Sequence, residues 1–330
     1  MGLETMCLAY VRCCASGLLA ALLVIAPNFT GSESKPAVAY SRGSNVTLAT
    51  ESGRATKTFP TNLPVLDFAI SPDLKLLVTV AATTAYGGAL DLEEIGSGVR
   101  ARLVSGPVYF KHLPRGENEV YADPRFSPDG KQVVFAVHVN SPGDGNDAMG
   151  AAGPIAIVDI ASRHVQILKS TTKIDGEAEG PCFSNTPIWS ANGKWIVFSC
   201  EDGAFITDAS GKTLRPLKIG SDEKPWTAGI GWVGDNCVLY VQAVDGGRDD
   251  TYEVRLLNLQ TSQTQDATSV LPVLHGAMSG LREASKLAKL RRTPSGLQIE
   301  GETTGWTLPA GSHAHLLGGW SAGQLPRTCE

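Results

Sequence analysis

Four segments of this chain repeat one pattern: DFAISPDLKLLVTV from Asp67, DPRFSPDGKQVVFAV from Asp123, TPIWSANGKWIVFSC from Thr186 and AGIGWVGDNCVLYVQA from Ala228. Each has a short apolar segment, a polar turn and an apolar run, the pattern of a β-hairpin. A unit recurring every roughly 45–60 residues cannot bury both of its faces alone, so it must stack on its neighbours.

The turn residues have separate physical reasons. Ser71, Pro72 and Asp73 open the first turn, Ser127, Pro128, Asp129 and Gly130 make the second, and Asn192 and Gly193 serve the third. Proline presets φ at the first corner, aspartate suits the next, and glycine takes the left-handed conformation that starts the return strand. In the fourth copy Asn236 is expected to be left-handed, because asparagine tolerates that region best after glycine. The first copy has Leu74 there, which predicts a strained or differently closed turn.

The return strands, Val133 to Val137, Trp195 to Phe198 and Val238 to Val241, are apolar on consecutive residues. A strand with one wet face would alternate, so these are expected to be covered on both sides by other sheets. Outer hairpins are read at 153–168, 204–217 and 251–267, and another at 38–59 whose inner partner is expected from SGLQIEGETTGWTL near the C-terminus. The expected fold is all-β: a propeller of four-stranded antiparallel blades, six in number, with five or seven as alternatives.

The phrase S-P-D-G-K before an apolar strand, whole at Ser127 to Lys131 and degraded at Ser71, Ser190 and Val233, resembles the repeat of the TolB-like β-propeller family. The resemblance covers about residues 38–306 and implies the fold; members range from periplasmic scaffolds to blades fused to peptidases and some lyases, so it is nearly silent on activity. There is little room here for the separate N-terminal domain that precedes the propeller in TolB.

Residues 1–32 read as a secretory signal segment, with the uncharged run CCASGLLAALLVIA after Arg12 and small residues permitting cleavage after Ser32. An uncleaved anchor is the alternative. Residues 33–330 then form one domain, periplasmic or secreted. Four cysteines remain without C-x-x-C spacing: Cys182, Cys200, Cys237 and Cys329. A disulfide between Cys182 and Cys200 is the expected pair, with core-packed thiols at Cys200 and Cys237 as the alternative.

Catalytic and metal motifs are incomplete. In HGAMSG the serine, Ser279, is misplaced by one for a nucleophile elbow, and too little chain follows to build a hydrolase sheet. DGND at Asp144 to Asp147 lacks the remaining features of an EF-hand loop, and His313 and His315 have no visible third ligand. The other histidines, His138 among them, are expected to be structural. Trp189, Trp195 and Trp232 fall in or beside inner strands, where packing between blades is the expectation.

Charge carries more. With a net charge of −5 the chain lacks the basic footprint of nucleic-acid binding. In a four-stranded meander, the turns after the first and third strands lie on one edge, and all other connections lie on the opposite edge. To that opposite edge are assigned Glu117, Glu119, Asp123, Asp144, Asp147, Asp175, Glu177, Glu179, Asp222, Glu223, Asp249 and Asp250, together with Asp91, Glu93, Glu94, Glu201, Asp202 and Asp245. An acidic channel mouth focuses field on a divalent cation such as calcium or on a basic partner segment; a solvated loop surface is the alternative. The stretch SGLREASKLAKLRR, residues 279–292, reads as a basic helical insertion, and it or the leader is the sole expected membrane contact.

The functional expectation is an exported, monomeric binding or scaffold propeller without a cofactor, engaging an envelope or secreted protein or a small ligand at the acidic mouth. The alternative is a propeller lyase or hydrolase that uses mouth carboxylates and a bound cation.

Overall fold

The computed structural model describes residues 38–49, 55–61, 63–82, 88–110, 112, 118–140, 149–168, 185–200, 203–217, 227–233, 235–243, 252–266, 290–293, 296–299, 307–309 and 313–316. All belong to one compact unit, Pro36–Glu330; a second unit, Met1–Lys35, lies outside the described residues, as does the leader predicted there. Among the described residues every regular element is a β-strand.

The strands form successive antiparallel meanders. The first sheet has β1 (Val38–Arg42), β2 (Asn45–Ala49) and β3 (Ala55–Pro60). The second runs in order through β4 (Val65–Ile70), β5 (Leu76–Ala82), β6 (Gly88–Glu94) and β7 (Arg100–Val104). The third contains β8 (Asn118–Phe126), β9 (Gln132–Asn140), β10 (Met149–Asp159) and β11 (Val165–Ile167). The fourth is β12 (Asn185–Trp189), β13 (Trp195–Cys200), β14 (Gly203–Asp208) and β15 (Leu214–Pro216). The fifth is β16 (Thr227–Val233), β17 (Cys237–Ala243), β18 (Tyr252–Asn258) and β19 (Thr264–Asp266). A three-stranded sheet follows: β20 (Leu290–Thr293), β21 (Gly296–Ile299) and β22 (Thr307–Pro309).

The last strand, β23 (His313–Leu316), pairs with β1, so that the first sheet takes its innermost strand from the far end of the chain. This corrects the expected donor. The segment from 296 to 309 pairs within its own sheet, where Leu297 faces Leu308, and the inner partner is the HAHL strand beyond it. The expected helix over 279–292 is corrected at its end: Leu290 to Arg292 pair with Leu297 to Ile299. The rest of that segment is outside the described residues.

The return strands are covered on both faces as expected. Val133 to Val137 and Ile196 to Phe198 are all fully buried, and they divide between core clusters on opposite sides of their sheets. Val133, Phe135 and Val137 pack with the second sheet's Leu90 and Leu103, while Val134 and Ala136 pack with Trp189 and Phe198 of the fourth. Alternate residues of one strand thus serve two interfaces.

The inner turns share one hydrogen-bond scheme. Ser71 Oγ donates to Asp73 Oδ1 and accepts the Leu76 N–H; Ser127 does the same with Asp129 and Gln132, and Ser190 with Asn192 and Trp195, at 2.7–3.0 Å. The fourth position of each turn is left-handed: Leu74 (φ 59°), Gly130 (φ 71°) and Gly193 (φ 69°). Leu74 therefore keeps the common geometry and carries its strain. The expected left-handed Asn236 is corrected. Trp232 pairs with Val238, five residues intervening, where Trp189 to Ile196 spans six, and Asn236 does not take a positive φ.

Neighbouring sheets are tied at one repeat position. Trp189 Nε1 donates to Arg125 O (3.3 Å), and Trp232 Nε1 to Ile188 O (2.9 Å); each acceptor directly precedes the matching residue of the preceding sheet. The expected role of these tryptophans between blades is what the structure has. The Asp123 N–H reaches Asp67 Oδ2 (2.9 Å), linking β8 to β4.

Candidate binding edge

The meanders fix two edges. One, the turn edge, carries the hairpins at 71–75, 95–99, 127–131, 160–164, 190–194, 209–213 and 259–263; the other, the connection edge, receives the starts of β4, β8, β12 and β16. On the turn edge the carboxylates serve the backbone. Asp159 Oδ1 accepts from the Ser162 N–H and Oγ (2.8 Å each), and Asp208 accepts from Ser210 and Thr213 through backbone and hydroxyl. Partial burial pushes the Asp208 carboxyl up, but these donors outweigh it and hold the group far below the usual carboxylate range. Asp73 and Asp129 are lowered too, first by their serine hydroxyls and then by lysine backbone N–H groups.

Three carboxylates assigned by sequence to the connection edge lie elsewhere. Glu93 and Glu94 close the far end of β6, beside the turn in which Ile95 N–H bonds to Lys75 O, so they belong to the turn edge. Asp91 and Glu93 form ion pairs with Arg102 and Arg100 of the next strand, and Arg100 also donates to Pro60 O. These pairs line a cleft of about 210 Å³ on the second sheet, with Thr79 and with Thr61 and Leu63 of the link that precedes it. The alternation of acids in LDLEE and of bases in VRARL was the sequence signal for this ladder.

Glu119 and Asp123 are the two described members of the predicted mouth set. Glu119 begins β8 at the connection edge, but it is only 6% exposed and its carboxylate is committed. It accepts the backbone N–H of Val108 (2.6 Å) on Oε1 and those of Tyr109 (3.0 Å) and Phe110 (2.8 Å) on Oε2. It thereby clamps the crossover between the second and third sheets. The Tyr121 hydroxyl donates to Gly106 O of the same crossover, and burial, with Glu119 nearby, raises its pKa strongly. Asp123 sits within β8 at a left-handed φ of 51°, in the register shift between Ala122 and Arg125. Register shifts also interrupt β4, β12 and β16, so each of these four inner strands bulges between its connection-edge start and its turn. Leu66, half exposed at the bulge of β4, is the apolar residue that sequence reasoning missed there.

Glu117, Asp144, Asp147, Asp175, Glu177, Glu179, Asp222, Glu223, Asp249 and Asp250 lie outside the described residues, as do Cys182 and Ser279. The strand ends that flank these carboxylates are described, and every one is on the connection edge: β7 with β8, β9 with β10, β11 with β12, β15 with β16, β17 with β18. Among the described residues no three His, Cys, Asp or Glu side chains group as a metal site. His313 and His315 lie on β23 opposite Ser41 and Ala39. His138 is fully buried in β9, and burial lowers its pKa to about 4. Cys237 is fully buried and disulfide-bonded, which corrects the core-packed free thiol expected there as an alternative.

Meandering blades, packed face to face and with first and last strands sharing a sheet, decide the architecture. The fold is a β-propeller. The solved structures similar to this propeller include TolB from Acinetobacter baumannii (18% identity, TM-score 0.47, 76% of this chain and 57% of that one). Others are the putative TolB from Agrobacterium tumefaciens (16%, 0.45, 70% and 76%) and the β-propeller domain of Cps50 (Swd1) from Myceliophteria thermophila (13%, 0.43, 73% and 73%). The chain thus spans little more than half the length of the Acinetobacter protein. No family model and no curated protein matches the sequence.

Proposed function

We propose that this propeller is an exported binding scaffold that engages an envelope protein, or a small ligand, through the connection edge. The observation that carries the reading is the common edge of the acidic connections: ten of the twelve predicted mouth carboxylates fall in connections whose flanking strand ends share one edge. Turn-edge aspartates such as Asp129, Asp159 and Asp208 are engaged in backbone and hydroxyl hydrogen bonds within their own turns. Acidic loops held together by a rigid ring suit a basic protein segment or a hydrated cation. Export is supported by the leader pattern and by the disulfide at Cys237, since such bonds persist in oxidising compartments. No helix among the described residues is long and apolar enough to cross a membrane.

The test is a pull-down from an envelope extract with the double variant Glu177→Lys, Glu179→Lys, against Lys75→Glu, Lys131→Glu on the other edge as control. The first should lose the captured partner and the second should keep it. Equal capture by both sinks the proposal. Thermal melting with calcium chloride or chelator, expected to shift by several degrees only where a cation occupies the edge, separates a cation ligand from a protein partner.

A further inference from the structure

At the turn edge, the seam between the third and fourth sheets is closed and the next seam is open. In the first of these, Gln166 Nε2 in the middle of β11 donates across to Ser210 O (3.0 Å). Gly211 lies so near Leu168 that a Cβ there would stand 2.8 Å from the Leu168 Cα. Arg215 holds the place of Gln166 one sheet on, opposite Ile206 as Gln166 is opposite Ile157, and Gln260 holds that of Ser210, two residues past the end of its strand. Arg215 does not cross to it. The guanidinium lies over the Trp195 ring of its own sheet, 5.6 Å from the centroid, and a cleft of about 140 Å³ opens between Trp195, Ile206 and Arg215 on one side and Asn236, Leu259 and Gln260 on the other.

We propose that this cleft docks an acidic peptide segment of another protein, one apolar side chain entering between Trp195 and Leu259 while flanking carboxylates meet Arg215 and Lys194. The volume suits a single side chain, since pockets that enclose a whole small molecule run to roughly 300–1,000 Å³. The side-chain amides of Asn236 and Gln260 can both donate to and accept from a peptide backbone. A guanidinium stacked on an indole keeps its edge donors outward, in the fork that matches a carboxylate. The lip on the fifth sheet is preformed, because the Leu259 N–H bonds to Asn236 O (2.8 Å) and the Gln260 N–H to Asn258 Oδ1 (2.9 Å).

Charge selects the sign of the partner. Lys75 and Lys131 each face a carboxylate of their own turn, Asp73 at 3.6 Å and Asp129 at 3.7 Å. The third turn has Asn192 in that place, and its Oδ1 still takes the Ser190 hydroxyl and the Lys194 N–H. Asparagine thus keeps the turn and leaves Lys194, exposed and directly before Trp195, without an ion pair among the described residues. Asp208, opposite Trp195, is taken up by Ser210 and Thr213 of its own turn. Asp235, exposed beside Asn236, remains on the lip against the exposed Lys194, Lys212 and Arg215. The site lies on the edge opposite the acidic connections and is independent of them.

The test uses fluorescein-labelled pentapeptides with leucine, tryptophan or alanine between two pairs of aspartates, and the same peptides with lysine for aspartate. They are titrated by fluorescence anisotropy against the full chain at low ionic strength. The aspartate peptide with leucine or tryptophan should bind at least about tenfold more tightly than its lysine counterpart and about fivefold more tightly than the alanine peptide. Arg215→Ala should weaken it about tenfold. Asn192→Asp, which gives Lys194 the partner that Lys75 and Lys131 have, should weaken it about two- to fivefold at unchanged Tm, and it decides alone if Arg215→Ala lowers Tm. Equal affinity of wild type and Asn192→Asp, a preference for the lysine peptides, or no gain from the apolar centre overturns the site. A dimer in sedimentation that Arg215→Ala dissolves assigns the cleft to a second copy of this chain and overturns the peptide partner.

Discussion

Replacing Glu119 by glutamine separates a structural carboxylate from a ligand-binding one. Its two oxygens accept three consecutive N–H groups, from Val108, Tyr109 and Phe110, at 2.6–3.0 Å, and the residue is almost wholly buried. A hydrogen bond to a charged acceptor is worth about 1.5–3 kcal/mol net, and a buried donor left without one costs about 1–3 kcal/mol. Glutamine keeps one carbonyl oxygen and turns its amide group toward at least one of those N–H donors. One strong bond is lost outright and the others are weakened, so Glu119→Gln should destabilise the chain by roughly 2–4 kcal/mol. Urea unfolding followed by tryptophan fluorescence at pH 7.5 measures this, with Glu117→Gln as the neighbouring loop control, expected within about 0.5 kcal/mol of wild type. If Glu119→Gln proves as stable as Glu117→Gln, the clamp is not what that carboxylate does.

Other perturbations follow from the same geometry. Burial lowers the His138 pKa to about 4 from the 6.5 of a free imidazole, so its neutral form is favoured by folding. Its contribution is full above about pH 6.5 and is lost as pH falls toward 4, about 3 kcal/mol in all; urea midpoints at pH 7.5 and 4.5 should differ less in His138→Leu, and equal slopes would contradict this. Trp232→Phe removes the indole bond to Ile188 O and should cost about 1–2 kcal/mol, read from the urea midpoint, with Trp189→Phe smaller because its bond is longer. Leu74→Gly relieves a left-handed leucine and should raise stability by up to about 1 kcal/mol, whereas Gly130→Ala at φ 71° should lower it by a similar amount. Opposite signs in thermal melts are the check.

The repeat was legible because turn chemistry is local. Serine, proline, aspartate and glycine at fixed spacing encode the hairpin, and the both-sided burial of 133–137 follows from consecutive apolar residues. What escaped were the long-range facts. Nothing near 38–59 says that its inner partner is HAHL instead of the more strand-like GLQIE, because pairing across the ring depends on where the preceding sheets end. Glu119 was misread for a related reason: a charge beside a loop resembles any other until three backbone donors are seen to converge on it. Asn236 failed because the fourth hairpin is one residue shorter, a change of register that asparagine's left-handed tolerance does not reveal.

The union of β1 with β23 has a kinetic consequence. The three strands of the first sheet are made early, yet their fourth pairs across some 270 residues of sequence, a contact of very high order that cannot form until synthesis is nearly complete. Through that interval the free side of β1 is an open template for any extended strand, including β1 of another nascent copy. A chain exported unfolded would have its C-terminus in hand before folding began, and would meet that hazard only briefly.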